Sequence, residues 1–436
     1  MVKDPYFVSS INLEVHPMRY ARERTKFHYY SILKYLVDIV DMITASEHIK
    51  WRMDFYRSFL VPEEEEIVHT EAFQSIDDAL RRLPRKHKRM YMYLIICDLA
   101  VILDTYEIGI ILLKIMKSKT FNKKRKQIDK LIKTLNRKGG KIPGQFRKMK
   151  PIIQQYWTNA LFIAQKEKKI IITANMSAGK STLINAIIGR NVARTSQEVC
   201  TGNICYFCNK AFDDKRVHFY STSFSYDAEE TDIKTFEWDR PVDIALYFRS
   251  AENYRQRICL IDTPGVNSAV NSEHGEIAKR CITSESYDLA LYILNANKLG
   301  TEEEIRYLKW VSEHVPKEKV IFVLNKLDDF RASDDDMESS IDGVREDLTR
   351  AGFEKPMIFP ISAYYAYLIK KKISNQPLSE DEEDEYMLYT KKFNKPKYDL
   401  SRFYEETLLE KSDSPKDLLK KSGFYYLEKL LYGGMS

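Results

Sequence analysis

Ala174-Asn175-Met176-Ser177-Ala178-Gly179-Lys180-Ser181 is the stretch that decides how this chain is read. It follows the apolar run 170–173 and precedes Ser181-Thr182-Leu183-Ile184, where a helix is expected to begin. A strand, a glycine-bearing loop and a helix in that order make a phosphate cradle. Backbone N–H groups at the helix N-terminus point at the anion, Lys180 reaches the β- and γ-phosphates, and Ser181 ligates Mg²⁺. Asn175, Met176, Ser177, Ala178, Gly179, Lys180, Ser181 and Thr182 are therefore the expected contacts to a nucleotide. In the G-x-x-x-x-G-K-[ST] pattern the first glycine is replaced here by Ala174.

Outward from that loop, three more strand ends carry polar residues. The run 258–262 leads into Asp262-Thr263-Pro264-Gly265. There the aspartate is placed to hold Mg²⁺ through water, and the Gly265 N–H to meet the γ-phosphate. The run 320–324 leads into Asn325-Lys326-Leu327-Asp328, which decides the base. The Asp328 carboxylate can accept both the N1–H and the N2 amino hydrogens of guanine, a donor pair that adenine lacks. Asn325 is expected to brace the loops, with the Lys326 stem lying over the base. The run 357–361 ends at Ser362-Ala363, whose N–H groups are placed to meet the guanine O6. The expected ligands are GTP and Mg²⁺, with Ser181, Asp262 and a switch threonine around the metal. Thr201 is the choice for that threonine, and Thr195 and Thr222 compete with it.

The pattern of the chain changes near residue 166. Before it, apolar residues recur at helical spacing through Tyr30, Leu33, Leu36 and Val40, and helices are expected over 76–83, 88–117, 122–137 and 149–166. After it, apolar runs at 169–174, 217–222, 243–248, 258–262, 289–295, 320–325 and 357–361 alternate with amphipathic stretches at 180–188, 275–281, 301–313 and 337–351. An α/β fold with a mainly parallel sheet over 166–436, preceded by an all-α domain over 1–165, is the predicted organisation. Residues 363–436 read as mainly helical, with the acidic tract 380–385 as a solvated loop. No internal repeat is visible.

Composition sets the outer bounds. The 436 residues are 44% hydrophobic and 30% charged, with a net charge of +6, which fits a folded chain of two or three domains. Six scattered cysteines form no disulfide framework, and residues 1–12 lack a basic region followed by an apolar one. A cytoplasmic protein, peripheral at the inner face of a membrane at most, is the expectation. The most apolar stretch, 90–116, contains Asp98, Asp104 and Glu107, which are costly at a bilayer centre, so a buried helix is the better reading. Cys200, Cys205, Cys208 and His218 lack the spacing of a zinc site and read as small buried residues near a strand. Between residues 114 and 150, cations are opposed by Asp129 alone. A solvated helical face, an anionic lipid surface and a nucleic acid are the three readings of that stretch, the last least favoured.

The motifs in this order resemble the dynamin superfamily of large GTPases, above all its bacterial dynamin-like members. The resemblance rests on Ser177-Ala178-Gly179-Lys180-Ser181-Thr182 with Leu183-Ile184-Asn185-Ala186, on Cys200-Thr201, on Asp262-Thr263-Pro264-Gly265 with Val266, and on Ser422-Gly423-Phe424. It implies a GTPase in which Ser177 helps to position the attacking water and a monovalent cation, Lys180 and Thr201 share in catalysis, and two G domains pair across the nucleotide. It also implies membrane remodelling through a helical stalk, a role left here to the N-terminal helices or to a second dynamin-like or helical chain. Met176 stands where eukaryotic dynamins have glutamine. Two rival readings are an Era-like GTPase engaged with RNA or the ribosome, and a GTP-binding scaffold without catalysis.

Overall fold

The computed structural model describes residues 4–41, 47–61, 73–103, 112, 113, 115, 117–175, 177–193, 203–228, 233, 240–252, 254–265, 272–330, 337–404 and 414–433. Two compact units divide the chain, one of Asp4–Gln165 and one built from Lys166 onward.

The first unit is helical. Its longer helices are α1 (Glu23–Asp41), α2 (Glu47–Leu60), α3 (Lys88–Ile102), α4 (Arg125–Asn136) and α5 (Lys150–Ile163). Residues 91–102 of α3 are all buried, as a helix apolar on every side must be when it runs through a core. Leu33, Leu36, Tyr56, Leu131 and Ile153 belong to the same apolar cluster. The helix expected over 88–117 stops at Ile102. Leu103 is extended, and Arg52 donates to the carbonyls of Val101 and Ile102 at 3.0 Å each, filling acceptors that a longer helix would have used itself.

Asp98 sits inside α3 with no exposure, and its carboxylate oxygens are hydrogen-bonded from within the unit. His16 Nε2 lies 3.0–3.1 Å from both carboxylate oxygens, and the Tyr29 and Tyr56 hydroxyls donate at 2.5 and 3.0 Å. The His16 Nδ1 accepts from the Met18 N–H at 3.1 Å, which leaves Nε2 as the donor toward Asp98. Burial and the Asp98 charge push both phenols well above their usual range. No helix among the described residues is long and apolar enough to cross a membrane.

The second unit is built on a nine-stranded sheet in the order β4-β3-β5-β2-β6-β1-β7-β8-β9. The strands are β1 (Lys168–Ala174), β2 (Cys205–Asn209), β3 (Val217–Tyr220), β4 (Phe224–Ala228), β5 (Val242–Leu246), β6 (Ile258–Asp262), β7 (Leu289–Asn295), β8 (Val320–Asn325) and β9 (Ile358–Pro360). Parallel pairing joins β6, β1, β7, β8 and β9, while β2 runs antiparallel to β6 and β3 forms a hairpin with β4. Strands β2 and β4 are additions to the seven expected from the apolar runs. Cys205 and Cys208 lie in β2 as buried free thiols, and no group of side chains able to hold a metal ion occurs among the described residues.

Helices α6 (Lys180–Ile188), α7 (Ser272–Ser284), α8 (Glu302–His314) and α9 (Met337–Arg350) alternate with the strands. They are followed by α10 (Ala363–Ile373), α11 (Glu380–Phe393), α12 (Pro415–Lys421) and α13 (Phe424–Leu431). The acidic tract 380–385 is the start of α11 and not a loop. Ser379 and Glu382 form a reciprocal capping box, and acids in a first turn complement the positive end of the helix dipole. Lys370 of α10 is buried. It pairs with Glu428 of α13 at 2.6 Å and donates to the Ala186 and Ile187 carbonyls at 2.8 and 3.0 Å, closing the C-terminal end of α6.

Candidate functional site

The site gathers at the ends of five neighbouring parallel strands, β6, β1, β7, β8 and β9. Ile170, Ile171, Ile172 and Ala174 of β1 have no exposure, so the strand delivers its loop from the centre of the sheet. Gly179 caps α6 at φ +89°, and a Cβ there would run into the Asn325 amide. Only glycine meets both demands. Ser177 also has a positive φ of 63°, which is uncommon for a residue with a side chain and typical of loops shaped around a ligand. The Asn295 amide donates to the Ser177 carbonyl at 3.2 Å and holds that turn.

Lys180 and Asp262 meet beyond the ends of β1 and β6, where the ammonium pairs with the carboxylate. Burial raises the Asp262 pKa, and the Lys180 charge partly offsets that rise. The Thr263 hydroxyl donates to the Ile172 carbonyl at 2.9 Å, fixing the Asp262 turn to β1. Asp262 and Ser181 offer a carboxylate and a hydroxyl, the hard oxygen donors that Mg²⁺ takes, so the residues present fit that ion. Gly265 is half-buried beyond the same strand end. Met176, Thr195, Thr201 and Val266 lie outside the described residues. Thr222 is exposed in the turn between β3 and β4, with β5, β2 and β6 standing between that hairpin and β1. That distance removes it from the competition for the metal.

Beyond the ends of β8 and β9, one buried side chain ties two loops together. Asn325 donates through Nδ2 to the Ala178 carbonyl at 3.0 Å, and its Oδ1 accepts from the Ala363 N–H at 3.0 Å. Lys326 turns the chain at φ +69°. Asp328 follows at 9% exposure and accepts a hydrogen bond from the Ser362 hydroxyl at 2.6 Å. Burial raises the Asp328 pKa, with Ser362 pulling it back. Ser362 is itself buried and caps α10, accepting from the Tyr365 N–H at 3.2 Å. Its own N–H donates to the Ser422 carbonyl at 3.0 Å. Gly423, at φ +74°, packs so close to the Pro360 carbonyl that a Cβ would collide with it. Ser422-Gly423-Phe424 is therefore packed against the turn that leads from β9 into Ser362-Ala363.

Two residues of this constellation escaped the sequence reading. Asn295 closes β7 at the position paired with Asn325 of β8, and a polar residue ending an apolar run beside the phosphate loop was the available signal. Lys392 of α11 donates to the carbonyls of Asp328 and Phe330, and no local pattern announces it.

Residues 170–327 match the model of the Dynamin family. Dynamin-like protein A of Bacillus subtilis (strain 168) is 24% identical over 172 residues, covering 38% of this chain and 14% of that protein. The probable transmembrane GTPase FZO-like, chloroplastic, of Arabidopsis thaliana is 24% identical over 210 residues, 48% of this chain and 20% of that one. This chain thus spans a fifth or less of the length of these two relatives. A solved structure of an oligomerised bacterial dynamin pair matches 95% of this chain and 61% of its own at 16% identity, with a TM-score of 0.38. Between the dynamin-like and Era-like readings the family match falls on the first: residues 170–327 are similar to the Dynamin family.

Proposed function

We propose that this protein binds GTP with Mg²⁺ and hydrolyses it to GDP and phosphate. The observation that carries the proposal is the Asn325 side chain, which joins the phosphate loop to the Ser362-Ala363 loop around the buried Asp328. Lys180 and the N–H groups of 177–182 hold the phosphates, and Asp262 with Ser181 holds the metal, alongside Thr201. The metal supplies charge neutralisation at the β- and γ-phosphates. Asp328 reads the base with Lys326 over it, and Ser362 and Ala363 lie at the O6 side. Ser177 and Thr201 are assigned to the attacking water, with a monovalent cation at Ser177.

In this proposal two G domains pair across the nucleotide and turnover drives remodelling of an anionic membrane, with or without a second dynamin-like or helical chain. The surface of the helical unit supports the membrane assignment. Lys117, Lys123, Lys126, Lys130, Lys133 and Arg137 are all exposed, and none is held in an ion pair among the described residues. Exposed cations contribute about 1 kcal/mol each at an anionic leaflet. The test is the GTPase rate per protein molecule measured across protein concentrations, with and without anionic liposomes. The rate is expected to rise with concentration and to fall by about a thousandfold in Lys180→Ala. A concentration-independent rate rejects pairing, and an unchanged Lys180→Ala rejects the enzyme.

A further inference from the structure

We infer that α11 is a strap holding the base-reading loop and that Lys392 is a positioning residue for guanine specificity. This deepens the reading of Asp328 as the guanine acceptor and rests on it.

The Lys392 ammonium donates to the backbone carbonyls of Asp328 and Phe330, spanning the end of the loop 325–328. Its own place is fixed, since the ammonium lies 4.8 Å from the centre of the Tyr398 ring. Tyr389 stands one turn earlier on α11, within electrostatic reach of Asp328. Burial raises its phenol pKa, and the charges of Asp328, Glu385 and Asp329 raise it further. The Tyr389 ring packs against Tyr364 and Tyr365 at 6.2 and 5.9 Å, the residues that follow Ser362-Ala363. One helix, α11, therefore touches the end of the 325–328 loop through Lys392 and the start of α10 through Tyr389.

That helix is anchored firmly. Glu382 pairs with Lys371 at 2.6 Å and Glu383 with Lys372 at 2.5 Å, and Phe393 stacks on Tyr365 at 5.1 Å. The acids of 380–385 thus hold α11 to α10, and α10 begins at the loop that meets Asp328. Aligning both carboxylate oxygens with two guanine donors requires the loop backbone to be held within a fraction of an ångström. A cation bonded to the carbonyls of Asp328 and Phe330, two residues apart in the turn, supplies that restraint, and charge-assisted bonds are the strong ones.

The experiment compares GDP with IDP, whose inosine base lacks only the 2-amino group, by calorimetry on the full chain with Mg²⁺. A loosened carboxylate keeps one hydrogen bond to N1–H and loses the aligned second, and IDP makes only the first. Lys392→Met is expected to weaken GDP about tenfold and IDP no more than about threefold, shrinking the preference between them. Lys392→Arg, which keeps the charge and its donors, is expected to retain most of it. If Lys392→Met does not fold, Lys392→Gln is read in the same way. An equal loss for both nucleotides, or no loss in a variant that melts like the wild type, overturns the strap. A wild-type protein without preference for GDP over ADP overturns instead the reading of Asp328 on which the strap rests.

Discussion

Asp98 in the helical unit and Asp328 in the sheet unit are both buried carboxylates with opposite designs. Asp98 has no exposure and receives His16, Tyr29 and Tyr56, so that each oxygen is engaged from two sides. Asp328 keeps 9% exposure at the edge of a loop and, among the described residues, receives a single side-chain donor, Ser362. A buried charge whose acceptors are filled by its own fold serves that fold. One with acceptor capacity to spare, in a loop held by Asn325 and Lys392, serves a ligand with donors.

The first way to break this contrast is to remove each carboxylate. Asp98→Ala is expected to cost about 3–5 kcal/mol in urea denaturation of the helical unit, because it leaves several buried donors unmatched. GDP affinity should stay near wild type in protein that remains folded. Asp328→Asn is expected to leave stability nearly unchanged while weakening GTP by about a hundredfold and improving XTP, whose O2 accepts from the new amide. If Asp98→Ala leaves stability untouched, or Asp328→Asn spares GTP, the division of roles fails.

A smaller effect comes from pH. The Asp328 pKa is raised, chiefly by burial, so over the interval between the ordinary carboxylate value and the raised one the folded state binds more protons than the unfolded state. In the unliganded protein this residue therefore costs stability as pH rises through that interval. GTP binding should move the other way, since only the ionised form accepts both guanine donors. The rise in melting temperature on adding GTP is thus expected to grow with pH through that window in the wild type and to be flatter in Asp328→Asn. A pH-independent shift in both would remove Asp328 from the titration.

What the sequence made legible, and what it hid, follows from distance along the chain. Asn325-Lys326-Leu327-Asp328 is contiguous and ends an apolar run, so the base loop announces itself. Lys392 acts on Asp328 from 64 residues away, and nothing local marks a lysine that bonds a distant carbonyl. The strand Cys205–Asn209 is only five residues long, and its two cysteines draw attention to chemistry before structure. Apolar periodicity runs on past Ile102, yet α3 ends there because Arg52, remote in sequence, takes its last carbonyls. The acidic start of α11 was signalled by Ser379 three residues before Glu382, but a run of like charges resembles a solvated loop when its cationic partners, Lys371 and Lys372, are not yet in place. Local motifs survive translation into structure, and tertiary caps and ion pairs have to be seen.

Calorimetric titration of the wild-type protein with GTP and with ATP, each with Mg²⁺, bears most directly on the base loop. GTP should bind at least about a hundredfold more tightly than ATP, because adenine leaves a buried carboxylate without its donors. Equal affinity for the two, or binding of neither, would contradict the assignment of Asp328.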